Sequence, residues 1–202
     1  MKMKKKSILT CLIALTMSLG ASAQKFSLGV NVFDLANFGT PNLEAGLAVS
    51  RNFSIHAGAR YNKWTFGAKS DDPIQNRKRT AWLGCRYWPW NTYSGLWFQF
   101  KAQYNEINSN ILTKKYTDPE TLDIYRRKVE GDAIGGGLGV GYDVMLSKHW
   151  NLEIGASVWA GSWLKLNTYA KNVGGRILPD ECYTNKFFVL PDDVHVTFIY
   201  VF

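Results

Sequence analysis

The sequence predicts an all-β chain, a single eight-stranded, antiparallel, up-and-down transmembrane β-barrel. Three observations lead there. The segment from Asp193 to Phe202 alternates strictly, with Val194, Val196, Phe198, Tyr200 and Phe202 on one face and His195 and Thr197 on the other. Seven further alternating segments have about the ten residues that a tilted strand needs to cross a bilayer. The chain is rich in aromatic residues and glycine, yet past its N-terminus no stretch reaches the roughly 18 consecutive apolar residues of a membrane helix.

The N-terminus carries the three parts of a secretory signal peptide. Lys2, Lys4, Lys5 and Lys6 come first, then the apolar run from Ile8 to Leu19, then the small-residue site Ala21-Ser22-Ala23. Residues 1–23 are expected to be cleaved, leaving a barrel domain over 24–202. Thr10 stands before Cys11 where a lipid anchor needs a small residue, which speaks against lipidation. Loss of four lysines reduces the formal charge from +8 to +4. That mild excess lacks the clustered stripe of a nucleic-acid surface. Cys85 falls mid-strand on the expected lipid face and Cys182 in a long loop, so both are expected as free thiols.

The expected strands are 25–35, 42–50, 53–64, 79–88, 95–107, 132–145, 149–164 and 193–202. Each alternates, and connections differ in length. Ser50-Arg51-Asn52, Pro89 to Ser94 and Ser147-Lys148 are short; 65–78, 108–131 and 165–192 are long. Outer-membrane barrels have short periplasmic turns and longer outer loops, so both termini are assigned to the periplasm of a Gram-negative bacterium. The first outer loop, around Ala36 to Pro41, is short. The run Ser50 to Ala59 echoes Ser147 to Ala156: a basic turn, an aromatic residue, then alternation into Gly-Ala. A last strand ending on Phe202 resembles the signal by which the outer-membrane assembly machinery recognises its substrates.

Parity assigns the faces. Leu43, Leu47, Phe53, Ile55, Leu83, Phe98, Phe100, Ile154 and Val158 fall outward, with no charge among them. Trp88, Trp90, Tyr93, Trp150 and Phe202 near one rim, and Trp64 and Trp163 near the other, are expected to form aromatic girdles. Glu44, His56, Arg60, Arg86, Lys101, Asp143, Glu153 and His195 fall inward. Buried charges must be paired, so these are expected to form a lumen network, with Glu44, Asp143 and Glu153 balancing Arg60, Arg86 and Lys101. An eight-stranded barrel is narrow enough for side chains to fill, so no pore is expected. Gly135, Gly137, Gly139 and Gly141 are expected to leave room for Trp97 and Trp159.

Catalysis has little support. Ser54, His56 and an acid are the residue types of a lipid hydrolase, but they fall on the inner face at membrane depth. Cys and His are not spaced for zinc, and Gly135-Gly136-Gly137 is not followed by the Lys-Ser/Thr of a phosphate loop. No metal, cofactor or catalytic residue is therefore assigned. The long loops carry Arg77, Lys78 and Arg79, then Lys114, Lys115, Arg126, Arg127 and Lys128. Basic groups at an outer rim suit the phosphates of lipopolysaccharide. Tyr116, Leu122, Ile124 and Tyr125 suit a hairpin extending two strands, whose edge another protein would pair with. A soluble periplasmic ligand-binding barrel is the alternative to a membrane one.

The phrases Asn42-Leu43-Glu44-Ala45-Gly46-Leu47, Leu83-Gly84-Cys85-Arg86-Tyr87-Trp88 and Leu146-Ser147-Lys148-His149-Trp150-Asn151-Leu152-Glu153, in this order, resemble the domain-of-unknown-function family 3575. The resemblance covers nearly all of the chain after the signal peptide. It implies an outer-membrane barrel often encoded near fimbrial genes, hence a surface or fimbrial partner, and no catalytic residues. The family often has paired cysteines in the fourth outer loop, where this chain has only Cys182.

Overall fold

The computed structural model describes residues 26–36, 39–66, 74–110, 115–117, 124–126, 128–171 and 177–202. The expected signal peptide, with Lys114 and Arg127, lies outside them. The strands are β1 (Phe26–Asn31), β2 (Asn42–Ala48), β3 (Phe53–Phe66), β4 (Ile74–Tyr87), β5 (Gly95–Ser109), β6 (Lys115–Thr117), β7 (Ile124–Arg126), β8 (Lys128–Met145), β9 (Trp150–Lys171), β10 (Ile177–Tyr183) and β11 (Lys186–Val201). One short helix, α1 (Val32–Ala36), follows β1. Every pairing is antiparallel, and eight strands close into a ring in the order β9-β11-β1-β2-β3-β4-β5-β8, with β8 returning to β9. β10 adds to the upper part of β9, and β6 and β7 form a separate ladder.

The described residues of the three expected long loops are largely strand. β4 starts at Ile74, β8 starts at Lys128, β9 runs to Lys171 and β11 starts at Lys186. The sequence reading stopped each strand where its apolar outer face stopped. A strand beyond that level keeps its ladder with polar side chains on both faces. Opposite charges even face one another there, Arg79 against Glu106 and Asp132 against Lys165. The first strand is shorter than expected. The Asn31 side chain accepts a hydrogen bond from the Phe33 N–H at 3.0 Å and turns the chain into α1, while the Asn31 N–H donates to the Asn42 side chain at 2.6 Å.

The ring is apolar outside and polar inside. Leu83, Phe100, Leu138, Ile154, Val158 and Val194 are exposed. Inward-parity residues of the same strands, Trp82, Gln99, Lys101, Glu153, Ser157 and His195, are buried. The end near the short turns is closed by a packed cluster of Trp88, Tyr93, Trp97, Ile199 and Val201. The turn before β5 delivers one member: Tyr93 takes a left-handed backbone, φ 63°, and folds inward. Asn151 Nδ2–H donates to the Tyr93 carbonyl at 2.8 Å, and Asn52 Nδ2–H donates to the Trp88 carbonyl at 2.7 Å.

Glycines let this interior close. A Cβ on Gly141 would stand 2.3 Å from the Trp97 ring, and one on Gly155 would stand 2.8 Å from it. Gly135 serves another purpose than the one expected. A Cβ there would meet the Ala160 carbonyl oxygen at 2.2 Å, so it lets β8 and β9 approach as backbones.

Candidate functional site

The interior side chains form two connected layers. In the lower one, Arg86 bridges two carboxylates, Glu44 at 2.8 Å and Glu153 at 2.7 Å, and lies 4.3 Å from the centre of the Trp97 ring. His195 stacks on the other partner of that arrangement, its ring 5.5 Å from Trp97 and nearly parallel. Its Nε2 lies 3.1 Å from Glu153, and its Nδ1 lies 3.3 Å from Asp193. Asp193 belongs to the upper layer, where it pairs with Arg60, which also meets Asp34 at 3.1 Å. Lys101 meets Asp192 at 2.5 Å, and Gln103 and Ser157 donate to the same carboxylate at 2.8 and 3.2 Å.

The expected inward charges are therefore inside, and Arg86 meets two carboxylates of the expected set, whereas Arg60 and Lys101 meet carboxylates outside it. Glu44 and Glu153 share Arg86, and Asp143 pairs with neither Arg60 nor Lys101. It is buried, with the Asn151 side chain beside it, and it faces Glu153 across the β8–β9 ladder. Arg60 and Lys101 instead meet Asp34, Asp192 and Asp193. Asp193 keeps the inward parity of His195, and a bulge between Pro191 and Asp193 turns Asp192 inward as well, a local break that strict parity cannot anticipate. Asp34 arrives on α1, at a place the sequence reading gave to a strand end and loop. Burial pushes its carboxyl up, against the pull of Arg60.

The girdle assignment needs correction. Trp90, Trp150 and Phe202 are exposed. Trp88 and Tyr93 are part of the interior plug, and burial pushes the Tyr93 hydroxyl up to about 12. Trp163 shares its face with buried Ala133 and packs on Phe188 at 5.2 Å. Trp64 is exposed, though it has the parity of the inward residues Arg60 and Asn62. The outer aromatic belt at the plugged end is made by Phe26, Phe53, Tyr87, Trp150, Tyr200 and Phe202, in ring contacts of 4.8 to 5.6 Å. Tyr61 and Tyr104 are exposed toward the opposite end. Nearness to a turn does not fix an aromatic side chain's direction, as inward Trp88 and Tyr93 beside outward Trp90 demonstrate.

Ser54, His56 and Glu44 stand in the order of a nucleophilic triad. Ser54 Oγ lies 2.7 Å from His56 Nε2, and His56 Nδ1 lies 2.8 Å from Glu44. The hydroxyl, however, accepts a hydrogen bond from the Trp88 indole at 2.8 Å. Ser54 and His56 are fully buried, and Tyr93 stands against both the histidine and Trp88. Among the described residues, Ser54 is 0% exposed, which leaves its hydroxyl no open face for an acyl group. The arrangement is a hydrogen-bond chain that ties β2, β3 and the plug together.

The basic residues divide. Arg77 and Arg79 are strand residues facing outward, interleaved with Glu106, Glu130, Asp132 and Lys165 around a groove of about 440 Å³. Arg79 pairs with Glu106 at 3.2 Å, and Lys128 lies 3.6 Å from Glu130. This lining is balanced in charge, unlike the basic rim expected. Lys78 faces inward, into a cavity of about 250 Å³ at the end away from the plug, so it is not an outer-loop contact. Lys115 and Arg126 are register partners in the β6–β7 ladder. Cys85 and Cys182 are unbridged and exposed.

Fold and interior together define an inside-out all-β ring, held by an ionic network and closed at one end by aromatic side chains. A family model described as protein of unknown function (DUF3575) matches residues 8–202, and the chain belongs to that family. No curated protein and no solved structure matches it.

Proposed function

We propose that the chain is a non-enzymatic transmembrane β-barrel of the outer membrane, with a filled lumen, serving as an envelope structural and surface-interaction protein. One observation carries the reading: the apolar side chains face outward around the ring while charged ones are buried. On β8 this outer face runs from Val144 to Ile134, about ten residues, which at ~3.4 Å per residue and a tilt of about 40° covers roughly 25 Å, the height of an outer-membrane apolar band. Arg79, Glu106, Asp132 and Lys165 begin where that face ends, beside Tyr61 and Tyr104. An aromatic belt bounds the other side. These are the features of the two membrane interfaces.

Closure by Trp88, Tyr93 and Trp97 supports a structural role for the lumen over conduction. Function then belongs to the strand extensions above the band. Their partners are outer-membrane lipid, lipopolysaccharide and a surface or fimbrial protein, the last resting on the family resemblance alone. Both termini lie in the periplasm on this reading, and insertion depends on the outer-membrane assembly machinery. Intact cells expressing a tagged copy test it by surface proteolysis beside membrane fractionation. The expected result is an outer-membrane protein cut within 108–131 or 165–192 with the remaining strands protected. A soluble periplasmic protein with no surface cleavage would overturn the reading.

A further inference from the structure

The wall of the ring is low on one side. β1 last pairs with β11 at Asn31↔Thr197, and β2 first pairs with β3 at Asn42↔Arg60. β3 and β11 continue well above these points, β3 to Phe66 and β11 to Lys186. Tyr61 N–H still donates to the Pro41 carbonyl at 3.0 Å and Val196 N–H to the Asn31 side chain at 3.4 Å; above them, among the described residues, the edges of β3 over 62–66 and of β11 over 186–195 have no ladder partner on this side, with α1 as the sill between them. The cavity of about 250 Å³ lies behind this notch. Phe33 on the sill and Val194 on β11 line it although they are 53% and 65% exposed, and inward-facing Asn62 and Lys78 line it too. The cavity thus opens sideways, through the wall.

Its charges are unequally committed. Arg60 is held by Asp34 and Asp193, and Asp192 is held by Lys101. Lys78 makes no ion pair or hydrogen bond with a described residue, although burial and the nearby carboxylates act on it. An ammonium in that position takes an anion, and phosphate oxygens are its strongest partners. The space is smaller than the ~300–1,000 Å³ of a site that encloses a whole ligand. Outside it, α1 presents Val32, Phe33 and Leu35 and β11 presents Val194, all exposed and apolar. The level is that of Tyr61 and Arg79, just where the outer apolar face ends.

The geometry points to a lateral binding site for an amphiphile bearing a phosphate ester. The head group is held by Lys78 inside the notch, and the chain lies outside against α1 and β11. The inference rests on the membrane reading, which gives such a ligand its route from the lipid. The test uses the refolded protein in dodecyl maltoside micelles with dodecyl phosphate as probe, followed by phosphorus NMR. Saturable binding is expected, weakened about tenfold in K78Q by loss of one charge-assisted contact and unchanged in K148Q at the opposite end. F33S is expected to weaken dodecyl phosphate while leaving inorganic phosphate unaffected, which guards against a folding defect in K78Q. Equal binding by wild type and K78Q would overturn the site. Inorganic phosphate competing as well as dodecyl phosphate would overturn the amphiphile and leave a free-anion site. Insertion of the same preparation into lipid vesicles is scored separately: failure there sinks the membrane reading, whereas insertion without binding sinks only the notch.

Discussion

Arg86 offers the sharpest test of the interior. Its side chain is 1% exposed and stands between Glu153, at 0%, and Glu44, at 18%. Replacing it by methionine keeps most of the volume but removes the cation. Glu153 then keeps only His195 at 3.1 Å, and Glu44 keeps His56 at 2.8 Å. Stranding a buried charge in this way costs about 3–5 kcal/mol. For a chain of this size that corresponds to roughly 6–20 °C in melting temperature, at ~2–4 °C per kcal/mol. The partial exposure of Glu44 moves the expectation toward the lower end. Urea titrations of wild type, R86M, E153Q and the double variant in one detergent, read by tryptophan fluorescence, give the cycle. Contacting residues couple, so the double variant is expected to be more stable than the sum of the single losses by more than about 0.5 kcal/mol. An R86M within about 1 kcal/mol of wild type at equal slope, or strict additivity, would refute the ionic network as a source of stability.

Further expectations concern the wall, the thiols and the buried serine. Leu138, 61% exposed mid-strand, changed to Lys should cost about 2–4 kcal/mol in lipid vesicles, against near zero for a water-facing site; an unchanged urea midpoint would refute the lipid-facing assignment. In intact cells a membrane-impermeant maleimide should label Cys182 and spare Cys85, both of which are exposed on the bare protein; equal labelling would put Cys85 in water. A fluorophosphonate should leave Ser54 unmodified, and labelling that vanishes in S54A would revive the hydrolase alternative. Gly141→Val meets the Trp97 ring and the Ile154 carbonyl within 2.6 Å and should block folding, whereas Gly136, with nothing closer than 3.8 Å, should accept Ala; a well-folded Gly141→Val would show that the plug yields easily.

Parity made much of this molecule legible. Glu44, Arg86, Glu153 and His195 follow from alternation alone, because a slip of one residue would send every one of them outward. What parity lacks is depth. Which carboxylate meets which cation depends on strand tilt and stagger around the ring, so alternation leaves the pairs within the set open, and Asp143 stands beside Glu153. Local breaks in the alternation are equally opaque. The bulge after Pro191 brings Asp192 in, and the left-handed backbone at Tyr93 sends a rim aromatic into the plug. Strand ends were misjudged for a related reason. Hydrophobicity marks where the apolar band stops, while the backbone ladder continues through polar residues such as Arg79 and Glu106.

The balance of buried groups bears on where this fold is stable. Among the described residues, eight hydrophobic side chains are buried against twenty polar or charged ones. A water-soluble domain draws its main stabilisation from apolar burial, and here the larger apolar side chains are left outside. The interior supplies register and rigidity, through Arg86 and Lys101 and their carboxylates, but buried ion pairs recover little more than their own desolvation cost. Cohesion must then come from the closed backbone ladder together with whatever covers the outer wall. On the proposed reading that cover is lipid, in which an unpaired backbone group is prohibitively costly and a closed ring has none except at its notch. Among the described residues, the notch over α1 thus leaves strand edges open at the edge of the apolar band, where water and head groups satisfy them, as they do the outer edge of β10.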